Sequence, residues 1–292
     1  MSRSRPSDTL SPPLEIERFG SALGAEVRAV DLSQPLDGAR FEDLHRAFLE
    51  HHVLVFRDQK LSHADQLAFA RRFGELDRHP IVDPIEEHPE LVRVWKPAGE
   101  SASFGTGWHT DNSFFEHPSM ATLLYGVTLP PRGGDTLFAS MEAAWEALSD
   151  TMKGWLAPLV AVHSASRAYA PSVTGDAKYR GEAAMSYTWS EAVEKEVTHP
   201  VMRTHPETGR ASLYVNPMFT QRIVGLEAAE SRALLAFIYR HCQRPEFQVR
   251  VRWQPGSLAL WDNRAVQHNA LDDYREYERL LYRATICGDK PV

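Results

Sequence analysis

The hydrophobic positions in the first quarter of the chain follow strand and helix spacings in turn. Residues 24–32 alternate apolar and polar side chains, which is typical of a strand with one buried face. Residues 52–56 form a short apolar run of the kind found in buried strands. Apolar residues recur at helical spacing in the segments 41–51 and 62–73. This part of the chain is therefore predicted to form strand, helix, strand and helix.

From about residue 105 the pattern changes to short strand-like runs separated by turns. Glycine-containing turn signals occur at Gly133-Gly134, Glu207-Thr208-Gly209 and Pro255-Gly256. One helical segment, 227–242, interrupts the series. Many short strands with a few helices predict an α+β, mainly β protein, a double-sheet jelly roll with flanking helices. The predicted strands are 119–129, 135–139, 159–164, 213–216, 249–253, 258–261 and 280–286.

Two segments lack clear periodicity. Residues 1–13 are rich in Ser, Pro and Arg without the apolar stretch of a secretory signal, so we expect a flexible tail on a cytoplasmic protein. Residues 165–195 are polar and contain proline and glycine, which favours a lid-like loop. The remaining chain, 14–292, is expected to form a single domain.

Composition narrows the possible partners of this 292-residue chain. The net charge of −7 argues against nucleic acid or an anionic membrane as the main partner. No apolar run approaches the roughly 20 residues needed to span a bilayer. Two cysteines, Cys242 and Cys287, cannot form a disulfide framework or a cysteine-rich zinc site. A small molecule bound in a pocket remains the expected partner.

Four His-x-Asp/Glu tripeptides occur among the 13 histidines of the chain, and three have structural explanations. The tripeptide 63–65 follows Ser62 in a pattern that resembles a capping box. His88-Pro89-Glu90 is expected in a polar loop, and His205-Pro206-Glu207 in a turn. The fourth, His109-Thr110-Asp111, follows a glycine-containing approach and precedes a predicted strand.

His109 and Asp111 can reach one ion because alternate residues of an extended segment point to the same face. His268, far along the chain, can supply a third ligand. Two histidines and one carboxylate form the facial triad that binds non-haem Fe(II) and leaves coordination positions open. Ligand type alone does not distinguish Fe(II) from Mn or Zn.

A predicted strand near the C-terminus carries Arg279 and Arg283 on one face. At about 3.3 Å per residue the two positions lie roughly 13 Å apart, which suits two anions on either side of a metal. The guanidinium fork binds carboxylate or sulfonate with two hydrogen bonds. The alternative is that both arginines are solvated and pair with nearby acids such as Glu276 or Glu278.

The chain also resembles the taurine dioxygenase (TauD/TfdA) family of Fe(II)- and 2-oxoglutarate-dependent oxygenases, from about residue 14 to the end. The matching motifs occur in the family's order. They are Leu23-Gly24-Ala25-Glu26-Val27, Phe73-Gly74-Glu75-Leu76, Trp108-His109-Thr110-Asp111, Gly133-Gly134-Asp135-Thr136, Val215-Asn216, Phe219-Thr220, Trp261-Asp262-Asn263-Arg264, Gln267-His268 and Arg283-Ala284-Thr285.

The resemblance implies a double-stranded β-helix and specific roles for named residues. O2 and 2-oxoglutarate would be co-substrates, and succinate and CO2 would be released. The implied Fe(II) ligands are His109, Asp111 and His268, and the implied 2-oxoglutarate residues are Thr136 and Arg279. The residues expected to contact the organic substrate are His79, Arg283, Asn112 and Phe219.

Departures from the family pattern bear on the substrate. Taurine-specific members carry polar side chains where this chain has Phe104-Gly105, and a tyrosine where it has Val82. Because these are the amine-binding positions, we expect a small anionic substrate that needs no amino group. A taurine-like sulfonate or an alkyl sulfate ester is the main expectation, and an aryloxyalkanoate is the alternative. Related enzymes commonly form homodimers or tetramers, so a homo-oligomer is expected.

Two other functional classes are alternatives to an oxygenase. A zinc hydrolase could use the same three ligands with a metal-bound water as nucleophile, and it would not need Arg279. A non-catalytic jelly-roll binding module would not need the His/Asp/His set.

Overall fold

The computed structural model describes residues 13–78, 84–100, 105–169 and 194–292. Six helices and sixteen strands are described in these ranges. The helices are α1 (Gly38–His51), α2 (His63–Ala70), α3 (Met141–Glu146), α4 (Asp150–Leu156), α5 (Ser166–Tyr169) and α6 (Ala228–Cys242). The strands are β1 (Glu15–Arg18), β2 (Ala25–Arg28), β3 (Val53–Phe56), β4 (Pro84–Ile85), β5 (His88–Lys96), β6 (Ala121–Thr128), β7 (Thr136–Ser140), β8 (Val160–His163), β9 (Val197–Pro200), β10 (Met202–Thr204), β11 (Ala211–Leu213), β12 (Thr220–Ile223), β13 (Gln248–Val251), β14 (Leu258–Asp262), β15 (Val266–Ala270) and β16 (Arg279–Ile286).

An eight-stranded sheet in the order β1-β2-β3-β14-β6-β16-β5-β4 forms the largest layer. Strands β2 and β3 pair in parallel, and the other neighbours in this sheet pair antiparallel. Three smaller antiparallel sheets have the orders β13-β7-β15, β12-β8-β9 and β10-β11. The protein therefore combines β-sheets with helices, as the sequence predicts.

Apolar side chains divide between the two faces of the large sheet. On one face, Leu123 and Ala284 pack with residues of α1 and α2, including Phe48. On the other face, Leu281 packs with Phe138 and further residues of the sheet β13-β7-β15. Successive side chains of β16 thus point to opposite layers, and the pocket described below lies on the Leu281 side. Helices α3, α4 and α6 enclose a third cluster.

Local capping follows the sequence expectation at α2. Ser62 Oγ accepts a hydrogen bond from the Asp65 backbone N–H at 3.2 Å, and Asp65 Oδ2 accepts one from the Ser62 backbone N–H at 2.9 Å. This reciprocal arrangement is a capping box with aspartate in the place of glutamate. The first His-x-Asp tripeptide therefore has the structural role that the sequence indicates.

The prediction of a loop at His88-Pro89-Glu90 is wrong, because these residues begin the nine-residue strand β5. The start of the strand pairs with β4 through Ile85 and His88, and residues 91–96 pair with β16; the spacing of side chains at 88–90 does not reveal these partners. The strand predicted at 213–216 ends at Leu213. The expected lid begins with the one-turn helix α5, and residues 170–193 lie outside the described residues. Of the expected N-terminal tail, residues 1–12 also lie outside them.

Candidate functional site

Backbone pairing brings the two ends of the predicted triad together. His109 and His268 form an isolated antiparallel bridge, with N···O distances of 3.0 and 2.8 Å in the two directions. His268 lies on β15, whose partner is β7. The extended backbone at 109–111 places the His109 and Asp111 side chains beside His268, as expected for alternate residues of an extended segment.

The three side chains form one buried cluster of potential metal ligands. One ligand atom from each of His109, Asp111 and His268 lies within 4.8 Å of the others. Asp111 Oδ1 is 3.6 Å from His109 Nε2 and 3.9 Å from His268 Nε2. These atoms can converge on a single divalent ion with only small adjustments, so the donor set fits a facial triad.

Hydrogen bonding and burial favour forms of the two imidazoles that can bind a metal. His109 Nδ1 lies 2.8 Å from the Gly107 carbonyl oxygen, which can only accept, so in the neutral ring Nδ1 carries the hydrogen and Nε2 has the lone pair. Burial, helped by the neighbouring His109, lowers the pKa of His268 to about 3. His268 is therefore neutral near pH 7 and able to donate to a metal.

Asp111 stays ionised although it is buried. Burial alone would raise the pKa of its carboxyl group, but the positive charge of Arg283 and the two imidazoles hold the pKa well below its usual range. Arg283 Nη2 lies 3.2 Å from Asp111 Oδ1. The carboxylate is thus available as an anionic ligand across the physiological pH range.

Arg279 is a buried cation with two donors that no described residue satisfies. It is 4% exposed, and its Nε and Nη2 atoms have no hydrogen-bond partner among the residues that the structure describes. Its guanidinium carbon lies 5.8 Å from the Trp253 ring and 5.7 Å from the Tyr274 ring. Burial lowers the pKa of Arg279, which expresses the cost of holding this charge away from water. Two parallel donors facing a pocket are the arrangement that binds a carboxylate.

Thr136 and Gly134 complete this end of the pocket. The Trp253 indole N–H donates to Thr136 Oγ1 at 2.9 Å, so the threonine hydroxyl keeps its own hydrogen for an acceptor. Gly134 has φ +68°, and a Cβ there would lie 3.2 Å from both Arg279 Nε and the Tyr274 ring. The glycine turn therefore lets the backbone pass close to Arg279.

One cavity joins the triad to both arginines. Its empty space is about 420 Å³, including the solvent at its mouth. Polar groups lie at the metal site and at Arg279, while apolar side chains form the rest of the cavity wall. The lining residues are Val94, Gly105, His109, Asp111, Leu124, Thr136, Trp261, His268, Ala270, Arg279 and Arg283.

The other predicted substrate residues are placed differently. The Phe219 ring packs edge-on against His109 at 6.0 Å, so it lies next to the triad. Asn112 adopts a left-handed backbone conformation, which is typical of a turn, and its side chain donates to Ser119 Oγ at 2.9 Å. His79 lies outside the described residues, as do Phe104 and Val82.

Sequence reasoning missed several side chains that support the site. Trp253 holds Thr136, Tyr274 flanks Arg279, and Thr122 donates to Asp111 Oδ2 at 2.7 Å. The signal for Thr122 is a hydroxyl residue within the apolar run of β6, but its partner is visible only once the strands are paired. The solvated pairing of Arg279 and Arg283 with nearby acids, considered from sequence, is excluded by their burial.

Comparisons with known proteins show the family of this chain. The family model described as "Taurine catabolism dioxygenase TauD, TfdA family" matches residues 15–285. The α-ketoglutarate-dependent sulfate ester dioxygenase of Pseudomonas putida is 36% identical over 280 residues, covering 96% of this chain and 91% of that protein. The α-ketoglutarate-dependent 2,4-dichlorophenoxyacetate dioxygenase of Cupriavidus pinatubonensis is 34% identical, covering 92% and 96%.

A solved taurine dioxygenase from Burkholderia xenovorans shares the fold, with a TM-score of 0.81 and 36% identity over 96% of this chain and 93% of that one. Both the sequence match and the structural match extend over nearly the whole chain. The chain therefore belongs to the TauD/TfdA family of dioxygenases.

Proposed function

We propose that this protein is an Fe(II)- and 2-oxoglutarate-dependent dioxygenase that hydroxylates a small anionic organic substrate, with alkyl sulfate esters as the leading class. The observation that carries the proposal is the cavity that joins a His/Asp/His cluster to two buried arginines on β16. A zinc hydrolase would have no use for a buried arginine with unpaired donors, so Arg279 favours the oxygenase.

In this proposal each residue of the cavity has a defined task. His109, Asp111 and His268 hold Fe(II), while Arg279 and the Thr136 hydroxyl bind the distal carboxylate of 2-oxoglutarate. Iron, when bound, activates O2 for decarboxylation of 2-oxoglutarate and hydroxylation of a substrate C–H bond. Trp261 and the neighbouring apolar wall exclude water, which limits side reactions.

Arg283 is proposed to bind the anionic head of the organic substrate, together with His79. Its position beside Asp111 would bring the carbon next to that head close to the metal. The wall formed by Val94, Leu124 and Ala270 suits an apolar chain or ring attached to the anion. Phe219 borders the same region through its contact with His109.

For a sulfate ester the reaction balances as follows. One oxygen atom of O2 is incorporated into succinate as 2-oxoglutarate loses CO2, and the other is inserted into the C–H bond next to the ester oxygen. The hydroxylated carbon then breaks its bond to that oxygen, giving an aldehyde and hydrogen sulfate. The identity with the sulfate ester dioxygenase supports this class over a substrate with an amino group.

The finer architecture belongs to the same proposal. We infer that the large sheet and the sheet β13-β7-β15 are the two layers of a double-stranded β-helix within one domain, residues 14–292. Their shared apolar cluster supports this arrangement. Of the described residues, no helix is long and apolar enough to cross a membrane. A homo-oligomer in the cytoplasm is the proposed assembly and location.

The test is a substrate panel of alkyl sulfates, alkyl sulfonates and aryloxyalkanoates, scored by succinate formed together with product. The highest kcat/KM is expected for an alkyl sulfate. An aryloxyalkanoate as best substrate would favour the second candidate, which the identity with the dichlorophenoxyacetate dioxygenase supports. Taurine outperforming the amine-free compounds would contradict the proposed substrate class.

Arg283→Met tests the anion site within this panel. It should raise KM for every anionic substrate while 2-oxoglutarate binding changes little, because Arg279 is intact. Arg46→Met, on the exposed face of α1, is the matched control and should leave KM unchanged. Equal KM values for Arg283→Met and the wild type would contradict the role of Arg283.

A further inference from the structure

Three buried side chains behind the triad form a continuous hydrogen-bond chain that ends on Asp111. The Trp261 indole N–H donates to Asn263 Oδ1 at 3.0 Å. Asn263 Nδ2 donates to Thr122 Oγ1 at 3.0 Å, and Thr122 Oγ1 donates to Asp111 Oδ2 at 2.7 Å. All four residues are at most 3% exposed, so water does not compete for these bonds.

The donor groups at the start of the chain fix its direction. An indole nitrogen can only donate, so the amide oxygen of Asn263 must face Trp261 and the amide nitrogen must face Thr122. That nitrogen also can only donate, so Thr122 Oγ1 accepts from it. The single hydroxyl hydrogen of Thr122 is then directed to Asp111 Oδ2.

We propose that Thr122 is a positioning residue that commits Oδ2 of Asp111 to a hydrogen bond, so that Oδ1 alone serves as the metal ligand. This inference rests on the proposed function. The two oxygens have different neighbours: Oδ1 faces both imidazole Nε2 atoms, at 3.6 and 3.9 Å, and Arg283 Nη2 at 3.2 Å, while Oδ2 faces the Thr122 hydroxyl. The bond to a charged acceptor is short, as charge-assisted O–H···O bonds are.

Binding through one oxygen matters for the reaction. A carboxylate free to turn could bind the ion through both oxygens and occupy a coordination position that the facial triad must leave open. Hydrogen bonds to ligating side chains of this kind fix orientation, and their loss commonly weakens metal binding about 10- to 100-fold. Thr122 therefore acts through Asp111 and has no contact with substrate in this scheme.

The test compares Mn(II) affinity of the full-length protein, measured by EPR titration with the metal alone, in three variants. Thr122→Val keeps the shape and removes the hydroxyl, so its Kd for Mn(II) should rise about 10- to 100-fold. Thr122→Ser restores the hydroxyl and should bind Mn(II) within a few-fold of the wild type. Thr110→Val is the matched control, because Thr110 is also buried but donates to the Val266 carbonyl at 3.1 Å.

Several outcomes decide between a positioning role and simple packing. Weak Mn(II) binding in Thr122→Val with rescue in Thr122→Ser supports the proposal. Wild-type affinity in a folded Thr122→Val, or equal weakening in Thr110→Val, overturns it and leaves the proposed function intact. Wild-type protein that binds Mn(II) no better than His268→Ala overturns both.

A further variant, at Asn263, tests the same hydrogen-bond chain if Thr122→Val does not fold. Asn263→Leu retains the Thr122 hydroxyl but removes the amide donor that directs it. The Kd for Mn(II) should therefore rise, but by less than the 10- to 100-fold rise expected when the hydroxyl itself is removed. Unchanged affinity in folded Asn263→Leu overturns the directed chain.

Discussion

Replacing Arg279 by lysine should weaken 2-oxoglutarate binding without weakening the ligand-free protein. Lysine keeps the positive charge but replaces the planar fork by a single ammonium, so it cannot make two parallel hydrogen bonds to one carboxylate. In the wild type, Nε and Nη2 are both buried and pair with none of the described residues, so both are available to the co-substrate.

The expected magnitude follows from the loss of one bond of the fork. A hydrogen bond between charged groups contributes about 1.5–3 kcal/mol. At about 1.4 kcal/mol per tenfold change, Kd for 2-oxoglutarate should rise about 10- to 150-fold. Stability of the ligand-free protein should change little, because Nε and Nη2 have no partner among the described residues and lysine keeps a positive charge beside the Trp253 and Tyr274 rings.

The assay is calorimetric titration of 2-oxoglutarate into Mn(II)-loaded protein under anaerobic conditions, with thermal unfolding of the ligand-free protein in parallel. Arg93→Lys, the same chemical change at an exposed position of β5, is the control and should leave Kd unchanged. An unaltered Kd in Arg279→Lys, or an equal rise in Arg93→Lys, would refute the assignment of Arg279. A Kd for Mn(II) that rises in step with the Kd for 2-oxoglutarate would also refute it, because Arg279 is not a metal ligand.

Three further predictions concern glycine, histidine and a buried ion pair. Gly134→Ala should lower the free energy of unfolding by about 1–2 kcal/mol because of the positive φ of Gly134, and it should weaken 2-oxoglutarate binding because the added Cβ would lie against Arg279. Gly154→Ala, in α4 with open space around it, should leave stability unchanged or raise it. Denaturant titration measures the stability of both variants. His199 has a folded pKa of about 4 because of burial, below its value of about 6.5 in the unfolded chain, so its share of stability is lost as pH falls from 6.5 to 4. Over this range the free energy of unfolding should fall by up to about 1.4 kcal/mol per pH unit because of His199. His199→Gln should remove this contribution to the pH dependence, and the same slope in variant and wild type would contradict the prediction. Asp262→Asn should cost about 3–5 kcal/mol because it removes the carboxylate paired with buried Arg264, and a cost below about 1 kcal/mol would show that the pair is unimportant.

The hydrophobic pattern of the sequence predicted the elements in which apolar residues follow a clear pattern. Helices α1, α2 and α6 and strands β6, β14 and β16 lie close to their predicted limits, because each has a clear apolar face. The alternation in β16 also predicted that Arg279 and Arg283 share a face, and both line the cavity. These predictions succeeded because periodicity reports which side of an element is buried.

Tertiary pairing decided what periodicity could not. Strand β5 begins with three residues that have turn-like character; this end pairs with β4, and the rest of the strand pairs with β16. His268 was identified by its motif, but its strand β15 was not predicted, since it is held between β7 and the bridge to His109. The roles of Trp253, Tyr274 and Thr122 depend on contacts between distant segments, so no local pattern could reveal them.

The most direct test of the central claim is anaerobic addition of Fe(II) and 2-oxoglutarate, followed by exposure to O2 with an alkyl sulfate. We expect a weak visible charge-transfer band before O2 is added, then succinate and sulfate in equal amounts. Loss of the band in both His268→Ala and Arg279→Met would assign it to this site. A protein that gives no band with Fe(II) but hydrolyses the ester with Zn(II), without consuming 2-oxoglutarate, would contradict the account.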